Sequence, residues 1–177
     1  MDARVIFVAD RETDGIQAGG ETRVSATDFR VFGTAGTVNF GRLNFTSPGY
    51  AQIAEDSSTL LVLDDTADAA SLNSAGNIED FQTTTVEVVG SLKLVAENIF
   101  VADAQSNVWR GGGRAELHAF QMIIAGTPDI LFNPDAATLE FGQLNFSAGG
   151  YVTVNETSGI YLVGNNRADR FDLRSTG

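Results

Sequence analysis

The chain has 177 residues, of which 43% are hydrophobic and 19% charged, and its formal net charge is −12. That length suits one compact domain or one short solenoid with a buried core, and the composition is not that of a disordered chain. The acidic balance argues against nucleic acid as a partner. No apolar run approaches the roughly 20 residues a membrane span needs, so membrane insertion is not expected. With no Cys, disulfides, thiolate metal sites and cysteine nucleophiles are all excluded.

The N-terminus, Met1-Asp2-Ala3-Arg4, leads directly into a strand-like run without the pattern of a signal peptide. Together with the repeats below, this suggests a piece of a longer protein. Ile6-Phe7-Val8-Ala9-Asp10 recurs letter for letter at Ile99-Phe100-Val101-Ala102-Asp103, an offset of 99 − 6 = 93. Phe40-Gly41-Arg42-Leu43-Asn44-Phe45 recurs as Phe141-Gly142-Gln143-Leu144-Asn145-Phe146, an offset of 141 − 40 = 101. Tyr50 and Tyr151, Glu55 and Glu156, and Leu72 to Gly76 and Leu173 to Gly177 keep that second offset. A net insertion of 101 − 93 = 8 residues therefore lies between Asp103 and Phe141. The chain reads as a single domain over 1–177. It holds long repeats over about 6–98 and 99–177, and residues 1–23 form either a first rung or a cap.

A shorter period runs inside the long one. Similar stretches begin at Val24, Leu43, Leu72, Leu92, Leu117, Leu144 and Leu173, separated by 19, 29, 20, 25, 27 and 29 residues. Between them, residues 37–40, 85–89, 92–95 and 151–154 alternate apolar and polar with period two. They are rich in β-branched and aromatic residues, and Gly, Asn, Asp and Ser punctuate the gaps as turns require. No stretch carries a convincing helical period; residues 64–72 come nearest and are short and polar. The expected fold is all-β: a right-handed parallel β-helix of about seven rungs, roughly 20–29 residues each. Its inward positions should stack Leu43, Phe45, Tyr50, Leu72, Leu92, Leu117, Leu144, Phe146 and Tyr151, joined by Phe40 and Phe141. The expected inward column is Leu43, Leu72, Leu92, Leu117 and Leu144.

Residues Phe40 to Ser57 and Phe141 to Ser158, followed by Leu72 to Ile78, carry a pattern that resembles the repeats of giant bacterial surface proteins. These are related to filamentous haemagglutinin and autotransporter passengers. The resemblance covers residues 24 to 177. It implies a secreted or cell-surface stalk or adhesin, non-catalytic, with an extracellular glycan or protein surface as partner. The family's members carry many repeats and a secretion domain, where this chain holds fewer than two long repeats.

Asp64-Asp65 is the most enzyme-like feature, since polysaccharide lyases and hydrolases use carboxylates on β-helices. Neighbours on a strand point to opposite faces, though, and with Gly164-Asn165 read as the equivalent place in the second copy the pair is not repeated. A solvated turn is the expected reading. Glu55 and Glu156, each followed two residues later by Ser, occur in both copies and read as turn hydrogen-bonding groups. His118 is the only histidine and reads as a surface or strand-edge residue. No cofactor is expected; 23 acids leave weak, scattered Ca²⁺ binding open. Trp109-Arg110-Gly111-Gly112-Gly113-Arg114 falls in the window of the insertion. Trp109, Arg110 and Arg114 are therefore candidate ligand contacts, while the preferred reading of the segment is a structural corner or bulge made by its three glycines. Two alternatives stand beside the adhesive stalk: a carbohydrate-active β-helix, and a filament subunit that self-associates end to end through open rungs.

Overall fold

The computed structural model describes residues 2–8, 15–32, 37–81, 83–102, 107–125 and 138–176. Within them are sixteen strands and no helix, and every strand pairing is parallel. The chain winds as a parallel β-helix with three faces met in fixed order on each turn.

The first face carries β2 (Gly15–Gln17), β4 (Thr37–Asn39), β6 (Thr59–Leu61), β8 (Asn77–Asp80), β11 (Asn98–Val101), β13 (Gln121–Ala125), β15 (Tyr151–Glu156) and β16 (Arg170–Ser175). The second face carries β9 (Thr85–Val88) and the leading halves of five bent strands: β3 (Glu21–Phe32), β5 (Arg42–Glu55), β7 (Asp64–Ser74), β12 (Val108–Ala119) and β14 (Thr138–Ala148). Their trailing halves form the third face with β1 (Asp2–Val8) and β10 (Leu92–Val95). Pairing registers jump where three of these strands turn the corner, between Ser25 and Phe29, Ser47 and Tyr50, and Gly111 and Arg114. A register jump of this kind bends a strand without ending it.

Alternation decides which side chains enter the core. In β10, Leu92 and Leu94 are buried while Lys93 is exposed; in β9, Val86 and Val88 are buried between half-buried Thr85 and Glu87. Stacking then multiplies each choice. Two inward columns run down the third face, Phe29–Ala51–Ala70–Leu92–Ala115–Leu144 and Val31–Ile53–Leu72–Leu94–Leu117–Phe146. Three of the six places in the first column are Ala, which lets a bulky neighbour fill the space beside each.

Several expectations change here. The predicted leucines are all buried, but they do not share a column. Leu72 and Leu117 lie in one, Leu92 and Leu144 in its neighbour, and Leu43 is on the second face, paired with Thr22 and Leu61. A two-residue slip along a strand keeps a side chain inward, so apolar pattern alone does not separate adjacent columns. Tyr50 and Tyr151 leave the core. Both are half-buried, and an arginine lies 5.6 Å from each ring centroid, Arg30 at Tyr50 and Arg170 at Tyr151. Steps down the third face are 51 − 29 = 22, 70 − 51 = 19, 92 − 70 = 22, 115 − 92 = 23 and 144 − 115 = 29 residues. All but one of these steps fall within the predicted range of roughly 20–29 residues, and β1, β3, β5, β7, β10, β12 and β14 stack on the third face as seven rungs with six turns between them. At the N-terminal end β1 pairs with β3 as an ordinary rung; residues 9–14 lie outside the described residues.

The two long repeats do not lie one above the other. Ile16 pairs with Val38 on the first face, but their counterparts Trp109 (109 − 16 = 93) and Leu139 (139 − 38 = 101) pair on the second. Phe29, Ala51 and Ala70 stack on the third face, whereas Met122, Val152 and Phe171 follow one another on the first. The sequence repeat therefore spans four turns plus one face. The eight added residues fall between Met122 and Leu139, and residues 126–137 lie outside the described residues.

Candidate functional site

The predicted ligand contacts part company. Trp109–Arg114 corresponds at offset 93 to Ile16–Glu21, so this segment is not the insertion. It is the corner between the second and third faces, repeated in both copies. Trp109 is 0% exposed, stacked between Val86 and Leu139, and its indole Nε1 donates to Asp80 Oδ2 at 2.6 Å. A ligand cannot reach it. Arg110 projects outward from the second face and is held between Glu87 (2.7 Å) and Glu140 (3.2 Å) of the adjacent turns. Arg114 lies past the corner on the third face, 3.9 Å from Glu116. The glycines are needed because backbones cross closely here. A Cβ on Gly113 would meet the Gly90 carbonyl at 2.6 Å, and one on Gly142 would meet the Gly113 carbonyl at 2.8 Å.

The enzyme-like acid is buried too, which corrects the solvated-turn reading. Asp65 is 0% exposed and sits at an inward place in the column Asp65–Val86–Trp109–Leu139. Its Oδ1 accepts the Phe45 amide at 2.7 Å and the Asn44 side-chain amide at 3.4 Å, while Oδ2 has no hydrogen-bond partner. Desolvation pushes the carboxyl pKa up to about 8, against the lowering effect of the Phe45 and Asn44 bonds. At the offset of 101 the counterparts of Asp64 and Asp65 are Asn165 and Asn166, one residue beyond the pair named from sequence. Asn166 Oδ1 accepts the Phe146 amide at 2.9 Å. The same backbone donor is thus satisfied by an acid in one copy and an amide in the other.

Glu55 and Glu156 do serve as hydrogen-bonding groups, as their repetition suggested, but from inside the coil. Glu55 accepts the Phe40 amide at 3.4 Å, and Glu156 accepts the equivalent Phe141 amide. Both side chains are buried. Desolvation is the main cause of raised values in both, to about 7 for Glu55. All three acids satisfy amides that the corners leave without a ladder partner.

What sequence reasoning missed is a group on the outward side of the third face. Lys93, Arg114 and His118 surround one carboxylate, Glu116, at 3.6, 3.9 and 2.7 Å. His118 is half-buried on β12. These partners hold the Glu116 carboxyl below the usual range, the His118 hydrogen bond contributing most. The alternation of Leu92-Lys93-Leu94 with Ala115-Glu116-Leu117-His118 does put the polar set on one side. That the two stretches are adjacent turns emerged only from the pairing of Lys93 with Glu116. Two hollows flank the group. One, of about 180 Å³, is lined by Tyr50, Ser71, Ser91, Lys93, Arg114 and Glu116. The other, of about 470 Å³, is lined by His118, Ser147, Arg167 and Asp169 among others. Among the described residues, no three His, Asp or Glu side chains gather as a metal-ion site.

Chemically, the outward third face offers hydrogen-bond donors, one aromatic ring and a local excess of positive charge over negative. The class of protein defined by this geometry is a parallel β-helix whose buried acids serve its own backbone. No family model, curated protein or solved structure matches the chain.

Proposed function

We propose that this chain is a non-catalytic structural and adhesive β-helix segment of a large secreted or cell-surface bacterial repeat protein. The observation that carries the reading is the use made of the carboxylates. The acids that the sequence singles out as candidate catalytic groups, Asp65 and Glu55 with Glu156, are turned inward onto backbone amides. A glycosidase pair must instead flank a substrate bond from an accessible surface. Parallel pairing of turn on turn suits a stiff rod able to hold loops and surface side chains away from their attachment.

The test is to incubate the chain with a panel of neutral and acidic polysaccharides. New reducing ends and unsaturated products are measured in one arm, and retention of the chain on the immobilised polymers and on host-type cell surfaces in the other. Retention without product formation is expected. Turnover abolished by Asp65→Asn or Glu55→Gln would overturn the reading in favour of the carbohydrate-active alternative.

A second reading, self-association, has its own observation. Phe171 and Leu162 continue inward positions yet are 60% and 46% exposed, because no described strand covers them. A second copy stacked there would bury them. Concentration-dependent mass by light scattering is expected if it does so; a strictly monomeric chain at high concentration, with Phe171→Ser unchanged, would count against it.

A further inference from the structure

We propose that the outward side of the third face, around Lys93, Arg114 and His118, is a binding furrow for an anionic polysaccharide whose charged units are carboxylated sugars. The inference rests on the adhesive reading above and gives it a ligand class.

The furrow is a local exception to the chain's charge. The chain as a whole carries −12, and the outward second face brings two glutamates, Glu87 and Glu140, to one arginine. On the third face the ratio is reversed: Lys93 and Arg114 share the single carboxylate of Glu116, which also bonds the His118 ring at 2.7 Å. Lys93 is the chain's only lysine and His118 its only histidine. The net charge repels a polyanion from the chain as a whole, and this strip, where two cations share one carboxylate, offers it a local attraction. Both cations are about half exposed, at 48% and 50% of their side-chain surface, so they can turn toward a ligand without unfolding anything.

The shape suits a sugar chain lying along the solenoid axis. The 180 Å³ hollow has Tyr50 and the hydroxyl-bearing Ser71 and Ser91 beside Lys93 and Arg114. An aromatic ring beside hydroxyls and cations is the combination that receives a sugar's apolar face, its hydroxyls and its carboxylate together. The second hollow continues past His118 to Arg167 and Asp169, so polar groups of both signs extend the furrow along the axis. Adjacent turns are separated by about 4.8 Å, the strand spacing of any sheet. That is comparable to the advance of an extended polysaccharide per sugar, so successive sugars meet successive turns. Nucleic acid fits less well. Its phosphates are more densely charged, and the net charge of the whole chain opposes them more strongly than sparse carboxylates.

The experiment measures binding of the full 177-residue chain to polygalacturonate oligosaccharides, to the same oligosaccharides fully methyl-esterified, and to single-stranded DNA. Three proteins are compared: the unaltered chain, Lys93→Gln/Arg114→Gln, and Glu116→Gln. The unaltered chain is expected to bind the acid form, more weakly as salt rises. The double variant should lose about tenfold or more in affinity. Glu116→Gln should bind more tightly, since the internal competitor for both cations is gone; a variant that merely misfolds would not gain affinity. Esterification should abolish the difference among the three proteins.

The furrow assignment is overturned if the unaltered chain does not bind the acid form, if the double variant binds it equally well, or if DNA binds as tightly by the same residues. Failure here remains distinct from failure of the adhesive reading. Retention on neutral glycans or proteins, indifferent to Lys93 and Arg114, would sink the furrow alone. Cleavage of the oligosaccharide would sink the adhesive reading and leave the furrow as a substrate site.

Discussion

Asp65 and Asn166 perform one task with different chemistry, and the difference should be measurable. Each accepts the amide of an inward phenylalanine, Phe45 in one copy and Phe146 in the other. Only Asp65 can carry a charge, and desolvation in its buried site raises its pKa to about 8. The folded state therefore holds a proton that the unfolded chain releases at an ordinary carboxyl pKa. This contribution to stability is fullest at and below the unfolded value and is progressively lost as pH rises toward about 8, with Glu55 acting in the same sense up to about 7. Chemical denaturation between pH 5 and pH 9 should show stability declining. Asp65→Asn should flatten the decline and stabilise the chain at pH 8 by about 1–3 kcal/mol, because the amide keeps the bond to Phe45 and removes the buried charge. In the second copy the Asn166 side-chain amide donates to the Val163 carbonyl at 3.2 Å, and Val62 is that residue's counterpart at the offset of 101. A loss of stability at pH 8 would mean that the charge of Asp65 is compensated in solution.

The strand elements depend on their corners as much as on their alternation. The corner glycines mark backbone crossings: a Cβ on Gly41 would meet the Ala18 and Gly20 carbonyls at 2.7 Å, in a left-handed conformation with φ of 68°. Gly142, its counterpart, is equally crowded by Gly112 and Gly113. Gly142→Ala should cost about 1–3 kcal/mol from overpacking alone, and Gly41→Ala more, since it adds an unfavourable φ. Urea midpoints of the two variants test the order; equal losses would mean that crowding alone matters. Trp109 ties another corner. Trp109→Phe keeps most of the packing but deletes the donor to Asp80, for an expected loss of about 1.5–3 kcal/mol. Intact stability would show that bond to be dispensable.

At the scale of the molecule, each turn touches mainly the turns above and below it, as in other solenoids. The column Leu72–Leu94–Leu117 crosses the middle of the third face. Leu94→Ala opens a cavity there, with an expected cost of about 2–5 kcal/mol. Hydrogen exchange should report the loss first in β7, β10 and β12, fading along the axis. Equal acceleration of every amide would show instead that the solenoid unfolds as one unit. The rotation of the long repeat by one face has its own consequence: each copy presents its outward side chains in a different direction, so the third-face furrow is not duplicated. Arg114 corresponds at offset 93 to Glu21 and Glu116 to Arg23, which makes the furrow specific to one stretch of the rod even though the sequence repeats.

Much of this protein is legible in its sequence. Period-two alternation in Leu92–Val95 and Thr85–Val88, with glycine and asparagine between strands, fixes which side chains turn inward, because a strand has only two sides. The offsets of 93 and 101 identify equivalent residues, and the recurrence of Glu55 as Glu156 marks a structural duty that the Phe40 and Phe141 amides explain. What alternation does not contain is the lateral register between turns. A slip of two residues leaves every inward side chain inward, so Leu92 could be expected beside Leu117 when it pairs with Ala115. The faces likewise emerge only on closure: the sequence repeat carries no mark of the extra third of a turn, because each copy packs equally well on any face. Trp109 seemed suited to a surface and is buried; Asp65 seemed suited to water and is buried; and the Lys93, Glu116 and His118 cluster exists only because two strands more than twenty residues apart in sequence lie side by side. Local chemistry determined the strands and their two sides, while the pairing of distant turns decided which side chains meet.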